Sequence, residues 1–242
     1  MKIKLLVAAA ATVVASSAMA QSAFEGFYSQ VATGYESNTV TNLSSPYTVT
    51  TNSATYTGTS SAGNQTASGM PLVLGIGYTF AVTGPWLVGL GADYSALSQK
   101  TGSFTATQAQ NGGGSDTSTG NQIELSNRYN IFVTPSYAIS KDKLAYVKVG
   151  YSSVQSKFTS PAQSTDPSIS NTTNASGYIV GLGYKQIITG GLYGFAEGNY
   201  MSYASTSSNV SWRSTNNAYN VSVNQTGASN AYTLLVGVGY KF

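Results

Sequence analysis

Through most of the chain, apolar and polar positions alternate with a period of two, the spacing of a strand with two unlike faces. The last stretch shows it most cleanly. Between residues 232 and 242 one face carries Tyr232, Leu234, Val236, Val238, Tyr240 and Phe242, and the other Thr233, Leu235, Gly237, Gly239 and Lys241. Aromatic rings stand at both ends of the apolar face, with aliphatic side chains between them. That is how a strand reads when it crosses a lipid band bordered by aromatic girdles.

Seven further segments follow the same rule. Residues 70–80 set Met70, Leu72, Leu74, Ile76, Tyr78 and Phe80 against Gly75, Gly77 and Thr79, and residues 86–96 set Trp86, Val88, Leu90 and Tyr94 against Gly89, Gly91, Asp93 and Ser95. Residues 123–139 place Ile123, Leu125, Tyr129, Ile131, Val133, Tyr137 and Ile139 outward and Glu124, Ser126, Arg128, Asn130 and Thr134 inward. Ala145, Val147, Val149 and Tyr151 oppose Tyr146, Lys148 and Gly150, and Tyr178, Val180, Leu182 and Tyr184 oppose Ile179, Gly181, Gly183 and Lys185. The pattern is weaker over 27–36, with Phe27, Val31 and Tyr35 outward and Gln30, Gly34 and Glu36 inward. Over 192–203 both faces are mixed. Glu197 and Asn199 are assigned inward there, because a carboxylate at mid-bilayer costs about 2–3 kcal/mol.

Long and short connections alternate between these eight segments. Tight turns are expected at residues 83–85, 140–143 and 189–191, and long polar loops near 37–69, 98–122, 158–176 and 205–230. Two of these loops could extend the barrel as hairpins too short to span lipid, one over the weakly alternating residues 47–57 and one pairing Val210, Ser211 and Trp212 across Asn216 and Asn217 with Tyr219, Val221 and Val223. The expected fold is all-β: an eight-stranded antiparallel up-and-down transmembrane β-barrel with four long extracellular loops and both termini periplasmic. A soluble β-sandwich would need a bulky apolar face inside and a polar one outside. Here the face opposite the apolar one is glycine, serine and charge. Lipid outside and a narrow polar lumen inside account for both faces, and the sheet must close because unpaired backbone groups are not tolerated in hydrocarbon.

Composition narrows the picture. Only 8% of the 242 residues are charged, while 12% are aromatic, which fits neither a lysine- and glutamate-coated soluble domain nor a disordered chain. Residues 1–20 have the form of a secretory signal peptide: Lys2 and Lys4, an apolar stretch, then Ala18, Met19 and Ala20 as a small-residue cleavage site. The expected mature domain is 21–242, with a net charge near neutral once both lysines are removed, so no nucleic-acid partner is expected. There is no cysteine and no histidine, which removes every catalytic arrangement and metal site built on those two residues. No cofactor or metal and no enzymatic activity are expected. Asp93 and Glu197 could formally act as a glycosidase-like pair, but a packed lumen leaves no room for a sugar.

Taken together, these features resemble the small outer-membrane β-barrel family that includes the OmpA transmembrane domain and the opacity-type surface proteins. The most specific match is C-terminal: Gly237, Tyr240 and Phe242 look like the signal that the barrel-assembly machinery reads in a last strand, with Leu235 standing where the usual pattern has a polar residue. The resemblance implies a porin-like monomer in the outer membrane of a Gram-negative bacterium. Its expected partners are outer-membrane lipids and lipopolysaccharide, with the assembly machinery and periplasmic chaperones during biogenesis. No segment follows Phe242, so the peptidoglycan-binding domain of longer OmpA relatives is not expected.

Two regions hold candidate functional residues. Asp93, Arg128, Lys148 and Glu197 are expected to form a lumen charge network, with Lys148 and Arg128 paired to Asp93 and Glu197, because an interior this narrow is filled by side chains and unpaired buried charges are costly. Lys185 and Lys241 fall nearer the periplasmic mouth. The network is expected to close the lumen; a gated narrow channel for water, ions or small solutes is the alternative. In the long loops Trp212 is the contact candidate, as an exposed aromatic in a polar segment. A loop-mediated adhesin or surface receptor is the third reading.

Overall fold

The computed structural model describes residues 23–242; the expected signal segment lies outside the described residues. It contains thirteen strands: β1 (Gly26–Thr41), β2 (Ser44–Thr51), β3 (Thr55–Ser61), β4 (Gln65–Gly69), β5 (Leu72–Thr83), β6 (Trp86–Ser95), β7 (Gln99–Lys100), β8 (Phe104–Gln110), β9 (Ser115–Ala138), β10 (Lys143–Ser160), β11 (Ile169–Thr189), β12 (Leu192–Arg213) and β13 (Tyr219–Lys241). Eight of them close a ring of antiparallel neighbours in the order β1, β5, β6, β9, β10, β11, β12, β13 and back to β1. The seam between first and last strand is laddered from Tyr28–Lys241 to Thr41–Ala228.

The outer surface of the ring is apolar. Leu182 and Leu234 are each 68% exposed, and Ile76, Leu90, Ile131, Val133 and Val236 are similarly bare. In water, each such side chain would forgo about 1.5–3 kcal/mol of burial, so a continuous face of them belongs against hydrocarbon. Its edges are aromatic. Tyr94, Tyr129, Tyr151, Tyr178, Tyr200 and Tyr232 stand on successive ring strands: Tyr94 pairs with Tyr129 in register, Tyr151 with Tyr178 and Tyr200 with Tyr232, while Tyr129 and Tyr151 lie 6.2 Å apart between ring centroids and Tyr178 and Tyr200 6.3 Å apart. Eight residues further along their strands, Trp86, Tyr137 and Tyr240 mark the other edge. Eight residues at about 3.3 Å each, tilted ~40°, give roughly 20 Å between the two rings of aromatics, close to the hydrocarbon band of an outer-membrane barrel.

One end of the barrel is short. Both the start of β1 and Phe242 lie there, with the turns at Gly84 (φ 51°), residues 140–143 and Gly190 (φ 54°). The other end goes beyond expectation. The hairpins expected over 47–57 and 210–223 are present, with Trp212 opposite Val221, and the remaining long connections are also largely regular strand. β1, β9, β10, β11, β12 and β13 run on past the tyrosine ring, and β2, β3 and β8 fill the space between β13 and β9. The serine- and threonine-rich sequence that reads as loop is compatible with a strand solvated on one face, and β-branched threonine favours it. These added strands stand above the aromatic ring and leave the eight-strand count of the ring unchanged.

The wall of this upper crown has one gap. β11 and β12 are laddered only as far as Gly177–Tyr203. Above that pair, residues 169–176 bond to β10 and residues 206–213 to β13, with no rung between β11 and β12 among the described residues.

A second departure concerns β9. Ile123 and Leu125 were expected on the lipid face and Glu124 in the lumen, but Ile123 and Leu125 are buried inside and Glu124 faces out toward Lys100 at 3.4 Å. The cause is a bulge: Asn127 and Arg128 together oppose Val154 of β10, with Asn127 at φ 50°. An extra residue on one strand inverts which side chains point inward beyond it. Below the bulge the expected phase holds, and Arg128, Asn130, Phe132, Thr134 and Ser136 are all buried.

Candidate functional site

Inward positions alternate between glycine and large side chains on neighbouring strands, so the rings of one strand lie across the bare backbone of the next. A Cβ on Gly183 would strike the Tyr146 ring, and one on Gly239 the Tyr193 ring. On Gly237 it would come to 2.6 Å from the Phe195 ring, and on Gly91 to 2.7 Å from both the Phe132 ring and the Tyr28 hydroxyl. The glycines that read as a small inward face are therefore slots for aromatics, and the lumen is filled.

Within that filling sit three cations and three carboxylates in stacked layers. Mid-barrel, Lys148 of β10 is fully buried and places Nζ 2.6 Å from Glu197 Oε1 of β12 and 3.1 Å from Asp93 Oδ2 of β6, on opposite walls. It also lies 4.1 Å above the centre of the Phe132 ring. The carboxylates are further satisfied. Tyr146 donates its hydroxyl to Glu197 Oε2 at 2.7 Å, Asn199 donates to Glu197 Oε1 at 2.9 Å, and Asn130 donates to Asp93 Oδ1. Such bonds are what a desolvated ion pair needs to offset the cost of leaving water.

Arg128 belongs to a separate layer above. Its Nη1 lies 2.7 Å from Glu36 Oε2 of β1, and its Nη2 donates to Asn38, which in turn donates to Glu36 Oε1 at 2.7 Å. The expectation that Arg128 would share Asp93 and Glu197 with Lys148 is thus corrected. Its partner is Glu36, an inward position on β1. The reason is register: Arg128 lies opposite Ser95, two residues beyond Asp93 on β6, so its head group meets the level of Glu36 across the lumen. Between the layers remains a cavity of about 20 Å³ lined by Asp93, Arg128, Asn130 and Asn199, room for about one water.

Below, Lys185 is held by rings. Its Nζ lies 4.1 Å from the centre of Tyr28, 4.9 Å from Tyr193 and 5.4 Å from Tyr146. Tyr146 therefore links the two lower layers, with its ring against Lys185 and its hydroxyl on Glu197. Around and above the Arg128 layer an apolar stopper of Ile123, Leu125, Val154, Ile179, Met201 and Tyr203 crosses the lumen, with Ile179 and Met201 reaching down to the cavity between the layers. The bulge at Asn127 puts its first two members inside, which is why period-two reading missed them.

Gly237, Tyr240 and Phe242 lie at the closing seam. The Phe242 amide donates to Phe27 O at 2.9 Å, and its ring lies 5.8 Å from that of Phe27 and 5.2 Å from that of Tyr240. Gly237 faces inward beneath the Phe195 ring. Trp212 is not an exposed loop aromatic. It is half-buried on β12 and donates Nε1 to Asp166 Oδ1 at 3.0 Å, and Tyr219 donates to the same oxygen at 3.0 Å. The tip between β10 and β11 folds across to the β12–β13 hairpin, where Thr215 N also donates to Thr165 O at 2.7 Å. A sequence pattern carries no sign of such a cross-loop contact.

A closed ring of eight tilted strands with an apolar exterior, two aromatic girdles and an ion-paired interior defines a transmembrane β-barrel with side chains filling its lumen. The fold is that of the small outer-membrane β-barrels. It is similar to the outer membrane protease OmpT from Escherichia coli (TM-score 0.52, 15% identity, 94% of this chain and 100% of that one). It is also similar to the outer membrane protein OprG from Pseudomonas aeruginosa (TM-score 0.43, 15% identity, 90% and 96%) and to Ail, the attachment invasion locus protein of Yersinia pestis (TM-score 0.39, 16% identity, 90% and 99%). At these identities the likeness is one of fold. No protein-family model and no curated protein sequence matches the chain.

Proposed function

We propose that the chain is a monomeric outer-membrane protein that spans the bilayer as a closed structural barrel and displays a strand-built crown at the cell surface. The observation that carries the closed state is Lys148, wholly buried between Asp93 and Glu197 with aromatic and apolar layers below and above it. A hydrated ion has no path through side chains packed on both sides of a paired charge.

The short end, with the chain ends and tight turns, faces the periplasm in this reading, and the crown faces outward. Lipopolysaccharide and lipids cover the tyrosine-bordered belt. Gly237, Tyr240 and Phe242 present the edge read by the barrel-assembly machinery, after periplasmic chaperones have carried the chain and its leader, residues 1–20, has been removed. No catalysis is assigned. OmpT is named a protease, but this chain has no histidine or cysteine, and both central carboxylates are engaged by Lys148.

Planar-bilayer recording tests the proposal. The purified chain is expected to give no standing conductance, and Lys148→Met to give none or rare, brief openings. A steady conductance from the unaltered chain, abolished or altered in Lys148→Met, would replace the closed barrel with a channel gated at Lys148.

A further inference from the structure

The sealed lumen ends at the apolar stopper, and the crown above it is hollow. Directly over Ile123 lies a chamber of about 130 Å³ whose mainly apolar surface comes from Val40, Leu43, Phe104, Phe158 and Ala175, with serine and threonine side chains between them; it is close to the size of an engineered cavity that holds one benzene. It opens into a vestibule of about 560 Å³, with Phe158, Val223 and Gln225 lining both. The vestibule wall carries Tyr47, Tyr56, Trp212 and Tyr219 together with two carboxylates, Asp116 and Asp166, and no lysine or arginine. Thus a mainly apolar pocket sits at the bottom, and aromatic side chains and negative charge surround the entrance.

We propose that the crown is a binding site for a small amphiphile, with one aromatic ring or short alkyl group in the chamber and a cationic amine head in the vestibule. The tail class follows from the size and apolar lining of the chamber. The head class follows from the mouth, where two carboxylates attract a cation and repel an anion and aromatic side chains stand beside them. Asp166 is already oriented by Trp212 and Tyr219, so the charge is fixed in place. The chamber borders the unladdered stretch between β11 and β12, with Asn171, Thr173 and Ala175 on one side and Thr206 on the other, so its wall can yield to a ligand without breaking backbone hydrogen bonds.

The test uses the full chain in phosphatidylcholine vesicles with Trp86→Phe, which leaves Trp212 in the vestibule as the reporting tryptophan. 2-Phenylethylamine, 2-phenylethanol and phenylacetate share one ring and differ in head charge. The expected result is a saturable change in Trp212 emission, at least tenfold tighter for the amine than for the carboxylate. Ala175→Leu fills the chamber and is expected to weaken the amine at least tenfold, with Ala106→Leu doing the same from the opposite wall should the first variant fail to fold. Asp116→Asn is expected to narrow the amine preference. A non-saturable response for all three compounds, or unchanged affinity in a folded chamber-filling variant, would overturn the site. Equal affinity for amine and carboxylate would overturn the assigned head group.

Discussion

Replacing Lys148 with Met keeps the length of the side chain and removes its charge, leaving Asp93 and Glu197 facing one another across the lumen without the cation that lies 3.1 Å and 2.6 Å from them. Removing one partner of a buried pair costs about 3–5 kcal/mol, because the remaining charge stays desolvated. Two carboxylates are stranded here, and both keep only neutral donors: Asn130 for Asp93, Tyr146 and Asn199 for Glu197. The upper part of that range is therefore expected. With a urea slope of about 2 kcal/mol per M, the midpoint should fall by about 2 M. Unfolding from lipid vesicles, followed by the gel-mobility difference between folded and heated chain, measures it. The triple variant Lys148→Met, Asp93→Asn, Glu197→Gln should recover most of the loss, since neutral groups of the same shape have no stranded charge. A Lys148→Met midpoint within about 0.3 M of the parent would refute the reasoning, and so would a triple variant no more stable than the single one.

Three further outcomes follow from the geometry. Gly183→Ala should destabilise the barrel by about 1–3 kcal/mol, because its Cβ meets the Tyr146 ring and displaces the hydroxyl from Glu197; urea unfolding reads it, and an unperturbed midpoint would contradict the slot role of the glycine. Outside the membrane, a hydrogen bond from Ser98 and the neighbouring Lys100 hold the Glu124 carboxyl below its usual value. Its contribution is then present above the ordinary carboxylate range and lost as pH falls through the lowered folded value; being partly exposed, it should amount to about 0.2–1 kcal/mol, absent in Glu124→Gln. Hydrogen exchange should be faster in residues 169–176 and 206–213, at amides facing the gap between β11 and β12, than at laddered amides of the same strands below Gly177 and Tyr203; uniform protection would mean the seam is closed.

The sequence made the ring legible because lipid imposes one rule on every strand. Trp86 with Tyr94, Tyr129 with Tyr137 and Tyr232 with Tyr240 stand eight residues apart, and that spacing alone marks both edges of the belt. The central charges were legible for a similar reason: Asp93, Lys148 and Glu197 fall on inward positions at comparable depth. What could not be read depends on breaks in periodicity. The bulge at Asn127 moves Ile123 and Leu125 into the stopper, and nothing local distinguishes Asn127 from any other polar residue. Glu36 was placed on the inner face, but pairing it with Arg128 requires the register between strands that are not neighbours. The crown was legible only in part. Weak alternation marks the hairpins over 47–57 and 210–223, but the other crown strands carry serine, threonine and asparagine on both faces, so nothing separates them from loop, and the Trp212–Asp166 contact joins segments 46 residues apart.

The barrel exists in this form only if hydrocarbon touches the Leu, Val and Ile face while the opposite face stays dry of lipid. Single tryptophans placed by Val133→Trp and Leu234→Trp, in a chain with Trp86→Phe and Trp212→Phe, report this directly in vesicles whose acyl chains are brominated at mid-length. Strong quenching at both sites is predicted, with little at a tryptophan replacing inward Phe132. Emission from positions 133 and 234 that ignores the bromines would contradict the account.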